Sequence, residues 1–114
     1  MNNISLMGRI GNSIELKKLD SGNSVTSFNL AVKGREDKTV WIRIVAWNKT
    51  AELLNNYTKK GDMIGITGHL DVREYDKNNE KRTAYEVVAE QIHFCGNKKD
   101  KEEVKEYIEE DLPF

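Results

Sequence analysis

The sequence has little of several residue types, and each shortage excludes a class of protein. Of its 114 residues, one is cysteine and one is proline. The single Cys95 excludes an intramolecular disulfide and is typical of a reducing compartment. No apolar run approaches the length that crosses a membrane. The first residues show no basic segment followed by an apolar one, as a signal peptide would. We therefore expect a cytoplasmic protein that is not bound to a membrane.

Groups that carry out catalysis or bind metals are also scarce. The two histidines, His69 and His93, stand apart from any spaced cluster of Cys, His or carboxylate residues that could ligate a metal. The glycine-rich motifs that cradle phosphates, GxxxxGK[ST] and GxGxxG, are missing. The sequence therefore predicts no enzyme activity, no metal and no cofactor.

An overall excess of positive charge is lacking too, because the net charge is −1. The charges are unevenly distributed, however. Residues 1–96 contain 14 Lys and Arg against 12 Asp and Glu, whereas residues 97–114 contain 4 against 7. We therefore divide the chain into a slightly basic domain over residues 1–96 and a charged linker with an acidic tail over residues 97–114.

The most informative stretch is residues 40–47, which alternates at a period of two and predicts a strand. One face of this strand is apolar throughout and belongs in a core. The other face carries Trp41, Arg43 and Trp47. Aromatic rings beside a cation suit a nucleobase, because the ring offers a stacking surface and the cation meets phosphate. A strand buried on both faces, with the indoles filling volume, is the alternative that this stretch leaves open.

The periodicity of the whole chain predicts five strands and one helix. The strands cover residues 4–10, 25–33, 40–47, 63–75 and 82–94, and residues 14–19 briefly continue the first. The helix covers residues 48–57, with Asn48 as its cap and Lys59-Lys60-Gly61 as its stop. In the fourth strand, Leu70 and Val72 are expected to face inward. This order predicts an all-β fold, a five-stranded OB-fold barrel with one helix between strands 3 and 4, plus a short acidic C-terminal tail.

The end of the chain has a composition of its own. Residues 106–114 contain four acids and no base, and such a run is most often a disordered tail. The last four residues are more hydrophobic than a solubilising tail requires. We therefore expect this tip to bind a pocket on another protein. Its residues are Asp111, Leu112, Pro113 and Phe114.

Taken in order, these segments resemble the bacterial single-stranded DNA-binding proteins. The similarity runs from Asn3 to about Gly96 and returns at the tip. It is carried by SLMGRIG at 5–11, FNLAV at 28–32, the strand at 41–47 with its helix, KGD at 60–62, GHL at 68–70, REY at 73–75, YEVVA at 85–89 and DLPF at 111–114.

The resemblance implies an OB-fold that binds single-stranded DNA with little sequence preference in replication, recombination and repair, at the nucleoid. It also implies a homo-oligomer, with a tetramer favoured over a dimer, and replication and repair proteins docked on the tip. The long linker of the family is missing, which is typical of a compact variant such as a phage- or plasmid-borne one. The family's stacking aromatics match Trp41, Trp47 and Tyr75, and its basic contacts match Arg43, Lys49, Lys60 and Arg73, with Lys33 and Arg35 added at the end of the second strand.

Two functions remain open from the sequence. One is a single-strand binder that also recruits partners. The other is an OB-fold adaptor of the primosomal type, whose barrel binds protein and has weak affinity for nucleic acid. The paired indoles and Arg43 favour the first.

Overall fold

A computed structural model describes residues 1–95, so the linker, the acidic tail and the predicted boundary at residue 96 lie outside it. The described chain forms six strands, one α-helix and a short 3-10 turn. In order these are β1 (Ile4–Ile10), β2 (Lys17–Lys18), β3 (Ser24–Lys33), the 3-10 turn (Arg35–Asp37), β4 (Thr39–Trp47), α1 (Asn48–Tyr57), β5 (Met63–Lys77) and β6 (Glu80–Phe94). The five predicted strands and the helix are confirmed. The segment at 14–19 contributes only the two residues of β2.

The strands form one sheet that closes on itself. β1 pairs antiparallel with both β3 and β5, and β6 pairs antiparallel with β5. β4 pairs antiparallel with β3 along its whole length and parallel with β6 over a short stretch. β2 extends the edge beside β3. Five long strands closed in this way, with a helix between β4 and β5, make an OB-fold, so the predicted fold class is confirmed.

Alternation along the strands fills the barrel with apolar side chains. Phe28 of β3, Ile44 of β4 and Ile66 of β5 are each at most 1% exposed. α1 packs against β3, β4 and β6, and it adds Ala51 and Leu54, both fully buried. Burying a side chain of the size of Leu54 stabilises the fold by about 1.5–3 kcal/mol relative to leaving it in water. The helix therefore completes the core of the barrel.

The start of α1 differs from the prediction. Asn48 has a left-handed backbone, with φ of 50°. Its side-chain Oδ1 accepts a hydrogen bond from the backbone N–H of Ser24 at 3.0 Å, and no side chain caps the helix. Asn48 therefore joins the helix to the first residue of β3 instead of capping its own helix.

The end of α1 also differs. The helix stops at Tyr57, and the backbone N–H of Thr58 donates to the Leu54 carbonyl at 3.1 Å. Lys59, Lys60 and Gly61 lie beyond the helix in the turn that leads to β5. The Asp62 side chain stabilises that turn by accepting from the backbone N–H of Lys59 at 3.0 Å. The two lysines are therefore not in the last turn of the helix.

β5 and β6 continue beyond the barrel as a two-stranded ribbon. The register shifts between Thr67 and Gly68, where a Cβ on Gly68 would overlap the Val88 carbonyl oxygen. Gly68 still pairs with Ile4 of β1, and beyond it β5 pairs only with β6. The ribbon ends in a two-residue turn at Asn78 and Asn79, whose φ angles of 54° and 65° suit a type I′ hairpin.

The ribbon corrects the predicted orientation of two apolar residues. Leu70 and Val72 were expected in the core, but they are 42% and 51% exposed. Val40, at the start of β4, was also assigned to the apolar face and is 45% exposed. Leu70 and Val72 lie on the part of β5 beyond its pairing with β1, and Val40 lies near the start of β4, so all three are close to the ends of the barrel.

Candidate nucleic-acid interface

The alternation of β4 places its two indoles and its arginine on the outer face of the barrel. Trp41 is 61% exposed and Trp47 is 42% exposed. On the neighbouring strand, Ala31 pairs with Trp41 and Asn29 pairs with Arg43. The small side chain of Ala31 beside Trp41 leaves much of that ring exposed to solvent. The alternative of a strand buried on both faces is therefore wrong for the two indoles.

Trp41 lies against the end of β1. A Cβ on Gly11 would overlap the ring atoms of Trp41, so the indole rests on the glycine backbone. The backbone N–H of Gly11 donates to the Asn29 carbonyl at 2.8 Å. The side chain of Asn12 accepts from the backbone N–H of Asn29 at 2.8 Å. These bonds fix the short segment on which the ring rests.

Two arginines from different strands meet at one carboxylate. Oε1 of Glu86 accepts from Nε of Arg43 at 3.3 Å, and from Nε and Nη2 of Arg73 at 3.1 and 2.9 Å. Glu86 itself is only 8% exposed. Arg43 also donates from Nη2 to the hydroxyl of Ser27 at 3.1 Å. This Arg43–Glu86–Arg73 cluster links the indole-bearing strand to the ribbon.

Tyr75 continues the same face along the ribbon. The guanidinium carbon of Arg73 lies 5.4 Å from the centroid of the Tyr75 ring, within the range of a cation–π contact. The ring remains 39% exposed. The structure thus brings Trp41, Arg43, Arg73 and Tyr75 onto one continuous outer surface.

The other predicted cations lie apart from this cluster. Lys33 forms an exposed ion pair with Asp37 at 3.1 Å, and Arg35 is exposed in the adjacent 3-10 turn. Lys49 is exposed in the first turn of α1, and Lys60 is exposed in the loop after it. Within residues 1–95, no hydrogen bond or ion pair joins these four side chains to Arg43 or Arg73.

Three further residues on this surface were not predicted from the sequence. They are Glu86, Ser27 and Arg82; the last is the cross-strand partner of Tyr75 and pairs with Glu80 at 3.1 Å. Each occupies an ordinary alternating position in its strand. The only signal was the single acid at position 86 among apolar neighbours, and the sequence does not show which strand supplies its partners.

The remaining candidate groups form no second site in the described residues. Nδ1 of His69 lies 3.6 Å from Oε2 of Glu90. Nε2 of His93 forms a hydrogen bond with the hydroxyl of Thr67 at 3.1 Å. Burial raises the pKa of the Cys95 thiol, which lowers its fraction of reactive thiolate. Residues 1–95 contain no group of three or more His, Cys, Asp or Glu side chains placed to hold a metal ion. No helix in this range is both long and apolar enough to span a membrane.

The predicted partner-binding residues Asp111, Leu112, Pro113 and Phe114 lie outside the described residues, and their role stays a prediction.

Known proteins of one family are similar to this chain in sequence. A family model described as the single-strand binding protein family matches residues 1–95. Over 109 residues the chain is 37% identical to single-stranded DNA-binding protein 1 of Synechocystis, which covers 90% of each chain. It is 35% identical over 108 residues to the protein of the same name from Clostridium acetobutylicum, covering 88% of this chain and 98% of the other.

A solved structure also matches. The Plasmodium falciparum SSB complex with ssDNA superposes with a TM-score of 0.75 and 28% sequence identity, covering 84% of this chain and 96% of that one. The match of the family model over the whole described barrel, together with these relatives, shows that this chain belongs to the single-strand binding protein family.

Proposed function

We propose that this chain binds single-stranded DNA with little sequence specificity. The observation that carries the proposal is the outer surface on which Trp41, Trp47 and Tyr75 expose their rings beside Arg43 and Arg73. Large aromatic side chains left in water across one surface mark a binding site. Stacking accepts every base, because every base has a π-face. Membership of a family of non-enzymatic DNA-binding proteins supports the same conclusion.

Cations on and around this surface meet the phosphates. Arg43 and Arg73 lie between the aromatic rings, with side chains 46% and 54% exposed. Lys49 lies in the first turn of α1 and Lys60 in the loop after it, while Lys33 ends β3 and Arg35 lies in the 3-10 turn that follows. Because single-stranded DNA is flexible, the strand can pass over several such separate cations.

The cellular role follows from this binding. The protein covers single strands exposed in replication, recombination and repair, in the cytoplasm at the nucleoid. It acts as a homo-oligomer, with a tetramer favoured and a dimer as the alternative. The names of its relatives support the DNA-binding part of this role.

The tip at residues 111–114 recruits replication and repair proteins. Phe114 enters an apolar pocket on the partner, and the acids of residues 109–111 steer the approach to a basic rim. The barrel already closes with β6, which ends at Phe94, so the apolar side chains of the tip are not needed for its core.

Titration with a poly-deoxythymidine oligonucleotide tests the proposal. Stacked bases quench indole emission, so we expect tryptophan fluorescence to fall in a saturable way, while light scattering gives the mass of the free and bound protein. An absence of both quenching and a mass increase would reject DNA binding and favour the adaptor.

Removal of residues 106–114 tests the tip. We expect DNA affinity to be equal or slightly higher, because acids that compete for the binding-face cations are gone. Capture of purified replication and repair proteins should be lost. A truncated protein that no longer binds DNA, or that captures the same partners, would contradict this assignment.

A further inference from the structure

The Arg43–Glu86–Arg73 cluster has an arrangement that simple attraction of DNA to positive charge does not require. Glu86 is an acid at the centre of a surface proposed to bind a polyanion. It is 8% exposed, and one of its oxygens accepts all three N–H donors. A buried carboxylate at this place repels phosphate. Its position therefore needs a reason other than attraction of DNA.

The hydrogen bonds that Glu86 accepts from the two arginines explain its position. Two guanidiniums placed side by side repel each other, and without a shared acceptor each would turn away into solvent. The single oxygen of Glu86 attracts both and fixes their orientation. Ser27 gives Arg43 a second hydrogen bond, and the Tyr75 ring gives Arg73 a second contact. Each arginine is thus restrained on two sides.

The restrained arginines keep donors for a ligand. A guanidinium carries five N–H groups. Arg43 uses Nε and Nη2 in these bonds, and Arg73 uses Nε and Nη2. The remaining donors belong to side chains that are about half exposed, at 46% and 54%. Planar donors held in a fixed orientation are well suited to the oxygens of a phosphate.

We propose that Glu86 is a positioning residue that holds Arg43 and Arg73 together as one phosphodiester site beside the Tyr75 ring. This inference rests on the proposed function. The ligand is a backbone phosphate of single-stranded DNA, and the adjacent ring receives the neighbouring base. Glu86 touches neither. It acts through the two arginines, and its own negative charge is the unfavourable part of the arrangement.

The proposal and a simple count of charges predict opposite effects of replacing Glu86 on DNA affinity. Removing an acid from a DNA-binding surface should strengthen binding if charge alone matters. If Glu86 positions the arginines, Glu86→Gln should weaken binding about tenfold, because a neutral amide oxygen attracts two guanidiniums less strongly than a carboxylate does, and tenfold is the size expected for the loss of that charge assistance. The matched control is Glu74→Gln, an exposed acid that alternates to the other face of β5. It removes the same charge and should leave binding equal or slightly tighter.

The experiment is a fluorescence titration of the full chain with a deoxythymidine oligonucleotide, combined with a mutant cycle. Glu86→Gln is measured in the wild-type chain and again in a chain carrying Arg43→Ala and Arg73→Ala. A positioning residue loses its effect when the groups it positions are absent. We therefore expect a loss of about tenfold in the first background and no loss in the second. Thermal unfolding of each variant confirms that it is folded.

Three results would overturn the inference. They are a Glu86→Gln variant that binds as tightly as wild type, one that binds more tightly, and an equal loss in both backgrounds. If Glu86→Gln does not fold, Glu86→Asp replaces it; the charge is kept but the reach is shorter, and unchanged affinity would count against the proposal. A wild-type chain that fails to bind would reject the proposed function itself. Wild-type binding with an unaffected Glu86→Gln variant would reject only the role of Glu86.

Discussion

At the scale of single residues, side chains on the outer face of β4 are exposed to solvent but held in place by contacts with neighbouring strands. Trp41 is mostly exposed, yet its ring rests on the backbone of Gly11. Arg43 is half exposed and bonded to Glu86 and Ser27. Side chains fixed before a ligand arrives lose less conformational entropy on binding. The individual side chains of this face should therefore respond sharply to substitution.

Replacement of either indole tests the stacking. Trp41→Ala or Trp47→Ala should each weaken binding to a deoxythymidine oligonucleotide about tenfold, since stacking is worth about 1–3 kcal/mol per base. Fluorescence anisotropy of a labelled oligonucleotide measures the affinity without depending on the removed indole. Tyr85→Ala is the control, because Tyr85 is 67% exposed and alternates away from Glu86 on β6. Unchanged affinity in both folded Trp variants would remove the stacking assignment.

Gly11 provides a second test at this scale. In Gly11→Ala the new methyl group would occupy the place of the Trp41 ring, so the indole must move outward. We expect a red shift of Trp41 emission, measured in a Trp47→Phe background, and DNA binding about two- to tenfold weaker, a part of the stacking energy. An unshifted emission spectrum would show that the ring does not rest on Gly11.

At the scale of elements, side chains hydrogen-bond to backbone groups at the positions where strand pairing stops. The first free edge of β5 is covered by the Asn2 side chain, which accepts from the Leu70 N–H at 2.9 Å and donates to its carbonyl at 2.8 Å. The next exposed N–H, on Val72, donates a hydrogen bond to Oδ1 of Asp71 at 2.9 Å. Blocking an edge in this way protects a long ribbon from pairing with other chains.

Asn48 joins α1 to β3, and its replacement gives a prediction about stability. Asn48→Ala removes the acceptor for the Ser24 N–H, which should lower the free energy of unfolding by about 1–2 kcal/mol. Alanine also tolerates the positive φ poorly, so Asn48→Gly separates the two causes by retaining only the backbone freedom. Asn48→Asp keeps an acceptor and should be the least destabilised. Urea unfolding measures all three, and equal midpoints for Asp and Ala would contradict the hydrogen-bond explanation.

At the scale of the whole molecule, the charge is distributed so that a nearly neutral chain still presents local cations. The net charge is −1, while Arg43, Arg73, Lys49 and Lys60 are all exposed. Because opposite charges elsewhere compensate for these cations, long-range attraction to DNA is modest. Binding then depends on short-range contacts with a limited number of phosphates.

Salt dependence measures that number. If these four cations meet about four phosphates, the logarithm of the binding constant should fall against the logarithm of salt concentration with a slope of about −3. Lys60→Ala should make the slope shallower by about 0.7, the contribution of one phosphate on a single strand. A slope near zero would favour the adaptor function. A much steeper slope would mean either more phosphate contacts per subunit or several subunits that contact the DNA at once.

Local sequence patterns are sufficient to predict the strands, the helix and the faces of this protein. Alternation in β4 assigned Trp41, Arg43 and Trp47 to one side and Ile44 to the other, because side-chain direction in a strand depends only on a local period of two. The same local rules gave the five long strands, the helix and their order, and hence the barrel. They also identified the aromatic surface before any strand pairing was known.

The contacts between side chains of different strands depend on the tertiary structure. Arg43 meets Glu86 across 43 residues of sequence and Arg73 meets it across 13. Such meetings depend on strand register and on the parallel pairing of β4 with β6, which no local pattern contains. Leu70 and Val72 were placed wrongly for the same reason. Their alternation is that of a core strand, and where the barrel ends is set by the lengths of its other strands.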